Sequence, residues 1–238
     1  MSEEFDSDTN NLAVPSSSKG DVGHVVAKGL IGSVPFVGSA GAELFSFVVT
    51  APIEKRRNEW MEQVGERLKD IEANQKLSLE ELQQNEEFID TVIQASTVAL
   101  RTSQLEKREA LLNAISNSVS STSVQYAIKQ MYLRLVDDFN EWHLRILKLF
   151  SNPSSWFVEH KIEPPQNIMT GSLELVLHAA YPELKDRRAF YDQVWRELNT
   201  AGLVSTDSLH GGMTGQGMMQ NRASERGKEF LWFIQSPS

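Results

Sequence analysis

The chain has 238 residues, 40% of them hydrophobic, with no cysteine and a formal net charge of −9, so we expect one large or two small domains with an ordinary core. The absence of cysteine excludes disulfides, thiolate catalysis and cysteine-ligated zinc, and it favours a reducing, cytoplasmic setting. The acidic balance argues against a protein that coats nucleic acid, because phosphate neutralisation needs a basic face, but it leaves room for a local basic patch.

Residues 1–19 are acidic and rich in serine and asparagine, which predicts a disordered tail without the positive start of a signal peptide. An apolar stretch follows over residues 29–53 and holds one charged residue, Glu43. Because glycines and Pro35 make one straight helix unfavourable, we expect an apolar hairpin of two helices, residues 21–33 and 39–50. Each of these helices is too short to cross the hydrocarbon core of a bilayer.

This apolar hairpin has two interpretations. We expect it to be buried within a soluble helical bundle; the alternative is that it inserts into a membrane or lies on one, which would make the protein a membrane-active effector. Its small residues allow close helix approach and suit both interpretations. The candidate residues for membrane or partner contact are Leu30, Ile31, Phe36, Val37, Phe45 and Phe47.

Residues 53–75 form the clearest amphipathic helix of the chain. Pro52 is expected in its first turn, where a backbone N–H is not needed. The basic run from Lys55 to Arg57 is interpreted as part of the solvated face, with a cytoplasmic membrane flank as the alternative. The predicted buried face consists of Trp60, Met61, Val64, Leu68 and Ile71.

Helical patterns continue from residue 78 to residue 137, without the alternation that marks strands. Ser78 begins a capping-box pattern, Asn85 is expected to cap the next helix, and Ser103 is a further candidate cap. Apolar stripes predict one helix or two over residues 86–119 and another helix from Val124 to Phe139. Residues 20–137 are therefore predicted to form an all-helical bundle.

Residues 138–238 are predicted to form a second domain with a different order of elements. Asn140 is expected to cap a helix that Pro153 ends, and a loop containing Trp156 follows. A short helix runs from Ser172 to Tyr181, and Asp186 is the expected cap of a third helix. The buried side of that third helix is predicted to be Phe190, Tyr191, Val194, Trp195 and Leu198.

Two short strands are expected after the third helix. Gly202 stands where a helix-ending glycine belongs. The strands Leu203–Val204 and Met218–Met219 are separated by the glycine-rich residues 211–217, which lack the lysine of a phosphate loop and predict a mobile connection. Ser224 is expected to cap a last helix.

The run Val194-Trp195-x-x-Leu198-x-x-Ala201-Gly202-Leu203-Val204, followed by Ser224-x-x-Gly227-x-x-Phe230-Leu231, resembles winged-helix domains over residues 140–234. This resemblance implies a winged-helix-like second domain. With the helical patterns before it, the chain is predicted to have a mainly α fold: an N-terminal helical bundle with an apolar, glycine-rich hairpin, followed by that domain. The whole chain also resembles a group of uncharacterised bacterial helical proteins through the segments PIEKRRNEW, RTSQLEKREALLNAI and EWHLRILKLF. That second resemblance implies no activity.

In DNA-binding winged helices the third helix enters the major groove. An i,i+4 ladder through Asp192 forms on any solvated helix, however, and Asp192 would repel phosphate, so a protein-interaction role stays equally open. The resemblance implies these candidate nucleic-acid-binding residues: Arg188, Gln193, Arg196, Asn199, Arg222, Arg226 and Lys228.

No catalytic motif appears in the sequence. The five histidines form no metal-ligand spacing; we expect His143 in the core or at its rim and His210 in solvent. We therefore expect a non-catalytic regulatory or adaptor protein without cofactor or metal. Its expected partners are another protein, with DNA, a membrane or a second copy of the chain as further candidates.

Overall fold

The structure, a computed structural model, describes residues 40–75, 77–120, 124–166 and 168–236. It is mainly helical, which confirms the predicted fold class at that level. The helices are α1 (Ala40–Gln75), α2 (Leu79–Gln83), α3 (Glu86–Arg101), α4 (Leu105–Ser118), α5 (Tyr126–Asp138), α6 (Glu141–Ser151), α7 (Pro153–His160), α8 (Leu173–Ala180), α9 (Arg188–Thr200), α10 (Gly215–Met218) and α11 (Glu225–Ile234). Two short strands, β1 (Thr170–Gly171) and β2 (Met213–Thr214), pair antiparallel.

The described part of the apolar stretch is the beginning of α1. The predicted helices over residues 39–50 and 53–75 are one continuous helix, and Pro52 lies inside it, so the prediction of a first-turn proline is wrong. The helix continues although Pro52 offers no N–H to the carbonyl four residues earlier. The acidic tail and the first helix of the hairpin lie outside the described residues. So do Leu30, Ile31, Phe36, Val37 and the side chains of Phe45 and Phe47.

The chain divides into two compact units, Met1–Pro52 and Ile53–Ser238. Among the helices that the structure describes, none combines the length and the hydropathy needed to span a bilayer. The predicted boundary between residues 137 and 138 falls inside the second unit.

Helix α4 is the centre of the unit formed by residues 53–238. Its residues from Leu111 to Asn117 are buried without interruption, so the helix has no exposed face over this length. Helices α3, α5, α6 and α11 all contact it. One hydrophobic core extends from Trp60 on α1 to Ile234 on α11.

Most of the predicted helix caps are confirmed. The side chains that accept a backbone N–H at a helix start, as predicted, are those of Ser78, Asn85, Asn140 and Ser224. Ser103 and Asp186 were wrong predictions, because Gln104 and Arg187 occupy the N-cap positions of α4 and α9 and make no side-chain cap bond. Helices α3 and α4 are separate, so the apolar stripe over residues 86–119, which predicted one helix or two, belongs to two helices.

Two further expectations need correction. Pro153 begins α7 instead of only ending α6, because its missing N–H costs nothing at a first helical position, and Trp156 is therefore helical. Met61 is 58% exposed, whereas its predicted companions Trp60 and Val64 are buried in the core.

The predicted pairing of Leu203–Val204 with Met218–Met219 is wrong. Val204 forms an isolated bridge with Ala223, and Met218 lies in the short helix α10, which the side chain of Thr214 caps. Strand β2 pairs instead with β1, which precedes α8. The Thr214 hydroxyl, which accepts the backbone N–H of Gly217, thus begins a short helix where the sequence predicted a strand.

Gly202 ends α9 as predicted. Its φ is +70°, and its N–H donates to the carbonyl of Asn199 at 2.8 Å. The N–H of Leu203 donates to the carbonyl of Leu198 at 2.9 Å. This pair of bonds is a Schellman motif, and it turns the chain sharply away from the helix axis.

Candidate functional site

Helix α9 carries most of the candidate residues, and its buried side fixes how they are presented. Tyr191, Val194, Trp195 and Leu198 are buried as predicted. The Nε1 of Trp195 donates to the carbonyl of Thr206 at 3.0 Å, and its ring meets Phe150 edge-on with 5.1 Å between centroids. Because the hydrogen bond to Thr206 and the contact with Phe150 fix the Trp195 ring in the core, the opposite face of α9 is exposed to solvent.

The exposed face of α9 carries charges of both signs. Arg188, Gln193 and Arg196 are exposed, and the Nε of Arg188 lies 3.5 Å from Asp192 Oδ2. Arg196 donates to the amide oxygen of Gln193, and the Nε2 of Gln193 donates to Glu197 Oε1 at 2.5 Å. Arginine, amide and carboxylate groups therefore alternate along this face.

The remaining candidate residues occupy other positions. Asn199 donates its Nδ2 to the carbonyl of Thr206 at 3.1 Å and so holds the following loop in place. Arg222 is half-buried, and its Nη2 donates to the carbonyl of Gly217 at 2.6 Å. Arg226 and Lys228 lie on α11, where the Nζ of Lys228 contacts Glu225 at 2.6 Å.

His210 belongs to this site, although the sequence predicts it in solvent. Its side chain is only 23% exposed, with Nε2 at 2.6 Å from Asp192 Oδ1 and Nδ1 at 3.3 Å from Glu174 Oε2. Tyr191 donates its hydroxyl to the other oxygen of Glu174. The expectation of a solvated side chain is wrong because its partners lie 36 and 18 positions earlier in the chain, beyond any local pattern.

The hydrogen bonds of this cluster shift the pKa values of Glu174 and Tyr191 and so reinforce their ordinary protonation states. The Tyr191 hydroxyl, with a smaller contribution from His210, lowers the pKa of Glu174 against the opposing effect of its burial. Burial and the bond to Glu174 raise the pKa of Tyr191. Glu174 is therefore an ionised acceptor and Tyr191 a neutral donor.

A second histidine reaches α9 from α6. His143 is buried, as the sequence predicts, and its Nδ1 accepts the backbone N–H of Asn140 at 3.2 Å. Nε2 therefore carries the ring proton and donates it to Glu197 Oε2 at 2.7 Å. Burial lowers the pKa of His143, although Glu197 opposes this, and the ring stacks on Phe139 with 4.5 Å between centroids.

Comparison with protein-family models, with curated proteins and with solved structures gave no match for this chain. The geometry of the side chains on and around α9 is therefore the basis for any argument about function.

The described residues hold no cluster of histidine and carboxylate groups arranged for a metal ion. In the group of His210, Glu174 and Asp192, each ring nitrogen faces a different carboxylate. A metal ion needs several donors that converge on one point, so this group has the wrong arrangement.

A groove of about 530 Å³ lies between α4, α6 and α11. Its floor includes the apolar side chains of Leu112, Leu144 and Ile234. At its rim Arg145 pairs with Glu106, and Arg108 lies 3.3 Å from Glu59. These two arginines are therefore already paired with carboxylates of the protein.

Proposed function

We propose that this protein is a non-catalytic regulatory or adaptor protein that binds a protein partner through the exposed face of α9. The observation that carries the proposal is the mixed charge of that face, where Arg188 and Arg196 alternate with Asp192 and Glu197. A protein surface offers both signs of charge in return, whereas nucleic acid offers only negative phosphates.

The winged-helix resemblance supports the choice of this helix. Helices α8 and α9 are joined by a short turn that contains the 3₁₀ helix Pro182–Leu184, and the small strands β1 and β2 flank the pair along the chain. In a winged-helix domain the helix at the position of α9 is the one that recognises a target, and such domains serve protein contacts as well as DNA contacts.

Site-specific photo-crosslinking tests the proposal. The crosslinking amino acid replaces Arg196 in one variant and, as the control, Arg134 in another, because Arg134 is also exposed but lies on α5. In the cells that naturally produce this protein, we expect the variant with the crosslinker at position 196 to form a discrete adduct with another protein. We expect no such adduct from the control variant at position 134. We also expect Arg188→Glu, introduced into the position-196 variant, to abolish the adduct. No adduct from position 196, or identical adducts from both positions, would contradict the proposal.

DNA binding by the same face is a second candidate, and the exposure of Arg188, Gln193 and Arg196 together on one helix favours it. Arginine and glutamine side chains can read guanine and adenine edges in the major groove. Fluorescence anisotropy with duplex DNA at about 50 and about 200 mM salt separates the two candidates, since phosphate contacts weaken steeply with salt.

Salt-dependent binding that the double variant Arg188→Ala/Arg196→Ala loses would support DNA recognition. The control is Lys55→Ala/Arg134→Ala, which removes the same number of exposed charges elsewhere. The absence of binding at low salt would remove DNA from consideration and leave the protein-partner proposal intact.

A further inference from the structure

The groove between α4, α6 and α11 has an exposed acidic residue on one side and an exposed basic residue on another. On the α4 side, the side chain of Glu109 is 56% exposed, although it accepts a hydrogen bond from Arg67 at 2.9 Å. On the α6 side, Lys148 is exposed and forms no ion pair within the described part of the chain. Arg108 also lines the α4 side, but its side chain is only 10% exposed and is paired with Glu59. The groove is therefore acidic along α4 and basic along α6.

Leu105 extends the apolar floor of this groove to the protein surface. It is the first residue of α4 and is 73% exposed. Together with Leu112, Leu144 and Leu231 it lines the groove. One exposed leucine is ordinary on a protein surface. An apolar centre surrounded by charged groups, however, is the usual anatomy of a protein–protein interface.

The helices around the groove are held together within one chain. The Nδ2 of Asn113 donates to the carbonyl of Ile234 at 3.1 Å and so ties the end of α11 to α4. Arg145 bonds to Glu106 and ties α6 to α4. The surface is thus already formed before a partner arrives, which lowers the entropy cost of association.

We propose that this groove is the interface of a homodimer, in which it faces the same groove of a second copy of the chain across a two-fold axis. In such a contact every pair of residues occurs twice, so the surface has to be complementary to itself. An axis parallel to the groove places the α4 side of each chain against the α6 side of the other. The exposed acidic side of each chain then meets the exposed basic side of its copy.

The positions along the helices match this arrangement. Arg145 and Glu106 are paired, and therefore lie at the same level of the groove. Lys148 and Glu109 each follow three residues later in their helices, so each Glu109 faces Lys148 of the second copy. Leu105 packs near the beginning of α6 of that copy.

The charges also decide between the possible axes. An axis across the groove would bring α4 against α4 of the second copy and the two Glu109 carboxylates toward each other, and like charges are costly at an interface. The proposed dimer does not depend on the partner of α9, because within the described part of the chain no residue of α9 lines the groove.

Sedimentation equilibrium of the full chain tests the dimer. The chain concentration runs from about 1 to about 100 µM, which covers a weak but specific interface. Salt at about 150 mM screens the repulsion between chains that each carry a net charge of −9. We expect the wild type to reach twice the chain mass. Leu105→Asp should weaken the dimer on the order of a hundredfold, because each dimer would bury two unpaired carboxylates.

Val158→Asp is the matched control for that variant. Val158 is 78% exposed on α7 and does not line the groove, so the wild-type dissociation constant should be retained. Lys148→Glu should weaken the dimer on the order of tenfold, because Glu109 would face a like charge. Glu109→Lys combined with Lys148→Glu restores opposite charges and should return the dissociation constant to within about threefold of the wild type.

The proposal is overturned if the wild type stays monomeric at the highest concentration, or if Leu105→Asp dimerises as the wild type does. A double charge exchange that dimerises no better than Lys148→Glu alone would overturn the axis parallel to the groove.

Discussion

The amide Nδ2 of Asn117 on α4 lies 2.8 Å from the backbone carbonyl of Gln235, 118 positions later in the chain. The same nitrogen reaches the carbonyls of Trp232 and Phe233 at 3.1 Å each, and Asn113 donates to Ile234 at 3.1 Å. The last carbonyls of a helix have no donor within the helix, so these two buried side chains cap the end of α11. The cap joins a residue of the predicted bundle to the predicted C-terminal domain.

Asn117→Ala should lower the free energy of unfolding by about 2 kcal/mol or more. The substitution leaves several carbonyls at a buried helix end without a donor, and an unsatisfied buried polar group costs about 1–3 kcal/mol. Urea unfolding measures the loss. Ser118→Ala is the neighbouring control, because the Ser118 hydroxyl bonds only to Ile115 within α4, and its effect should stay below about 0.5 kcal/mol. Equal losses in the two variants would contradict the capping role.

Stability should fall as the pH decreases, and His143 should account for part of the fall. Because burial lowers the pKa of His143 in the folded chain, the unfolded chain takes up the proton first. The stabilisation is therefore complete above the ordinary histidine pKa of about 6.5, and it is lost as the pH falls toward the lowered value. Urea unfolding between about pH 7.5 and about pH 5 measures this, above the range in which lowered carboxyl pKa values act.

His143→Gln separates this contribution from that of the other histidines. The variant should lose less stability than the wild type over the same pH interval, whatever its stability at pH 7.5. Parallel pH profiles for the two chains would show that His143 is not responsible.

Two glycines in helices should respond in opposite directions to alanine. A Cβ at Gly227 would lie 2.1 Å from the carbonyl oxygen of Leu203, which also accepts the N–H of Ser224, so Gly227→Ala must push α11 away from that backbone. We expect a loss of about 2 kcal/mol or more. Gly65→Ala meets no atom within 4 Å and should gain up to about 1 kcal/mol from helix propensity. Thermal unfolding compares the two, and a stable Gly227→Ala variant would contradict the close approach.

The caps show what the sequence could predict. The side chains of Ser78, Asn85 and Ser224 each accept a backbone N–H three residues later. Both partners therefore lie within four consecutive residues, where a sequence pattern can show them. His210 and Asn117 could not be predicted in the same way. Their partners are 18 to 118 positions away, and only the assembled fold brings them within reach.

The prolines illustrate a different limit. Pro153 follows α6 and also begins α7, whereas Pro52 lies within α1. The residues next to each proline are compatible with a helix boundary there, so the local sequence does not distinguish these cases. The strands were misplaced for a related reason: Val204 pairs with Ala223, and the local sequence does not show which distant residue a strand will meet. The exposed face of α9 was predictable because its buried side follows the helical period closely.

Liposome flotation tests the membrane alternative for the apolar hairpin. We expect the full chain to stay in the dense fraction with neutral and with anionic vesicles, since the buried interpretation encloses the apolar side chains of the hairpin within the protein. Phe36→Asp is the companion variant. Flotation of the wild type that Phe36→Asp abolishes would establish membrane contact and reject the buried interpretation.

The enclosure of residues 111–117 of α4 has a consequence for the order in which the chain is made. Helix α11, which covers one side of α4 and receives its asparagine caps, is synthesised more than a hundred residues later. A nascent chain on the ribosome thus exposes the apolar flank of α4 while the residues between Ser118 and Glu225 are synthesised. We expect this exposed flank to attract chaperones during that interval, until residues 225–235 emerge and cover it.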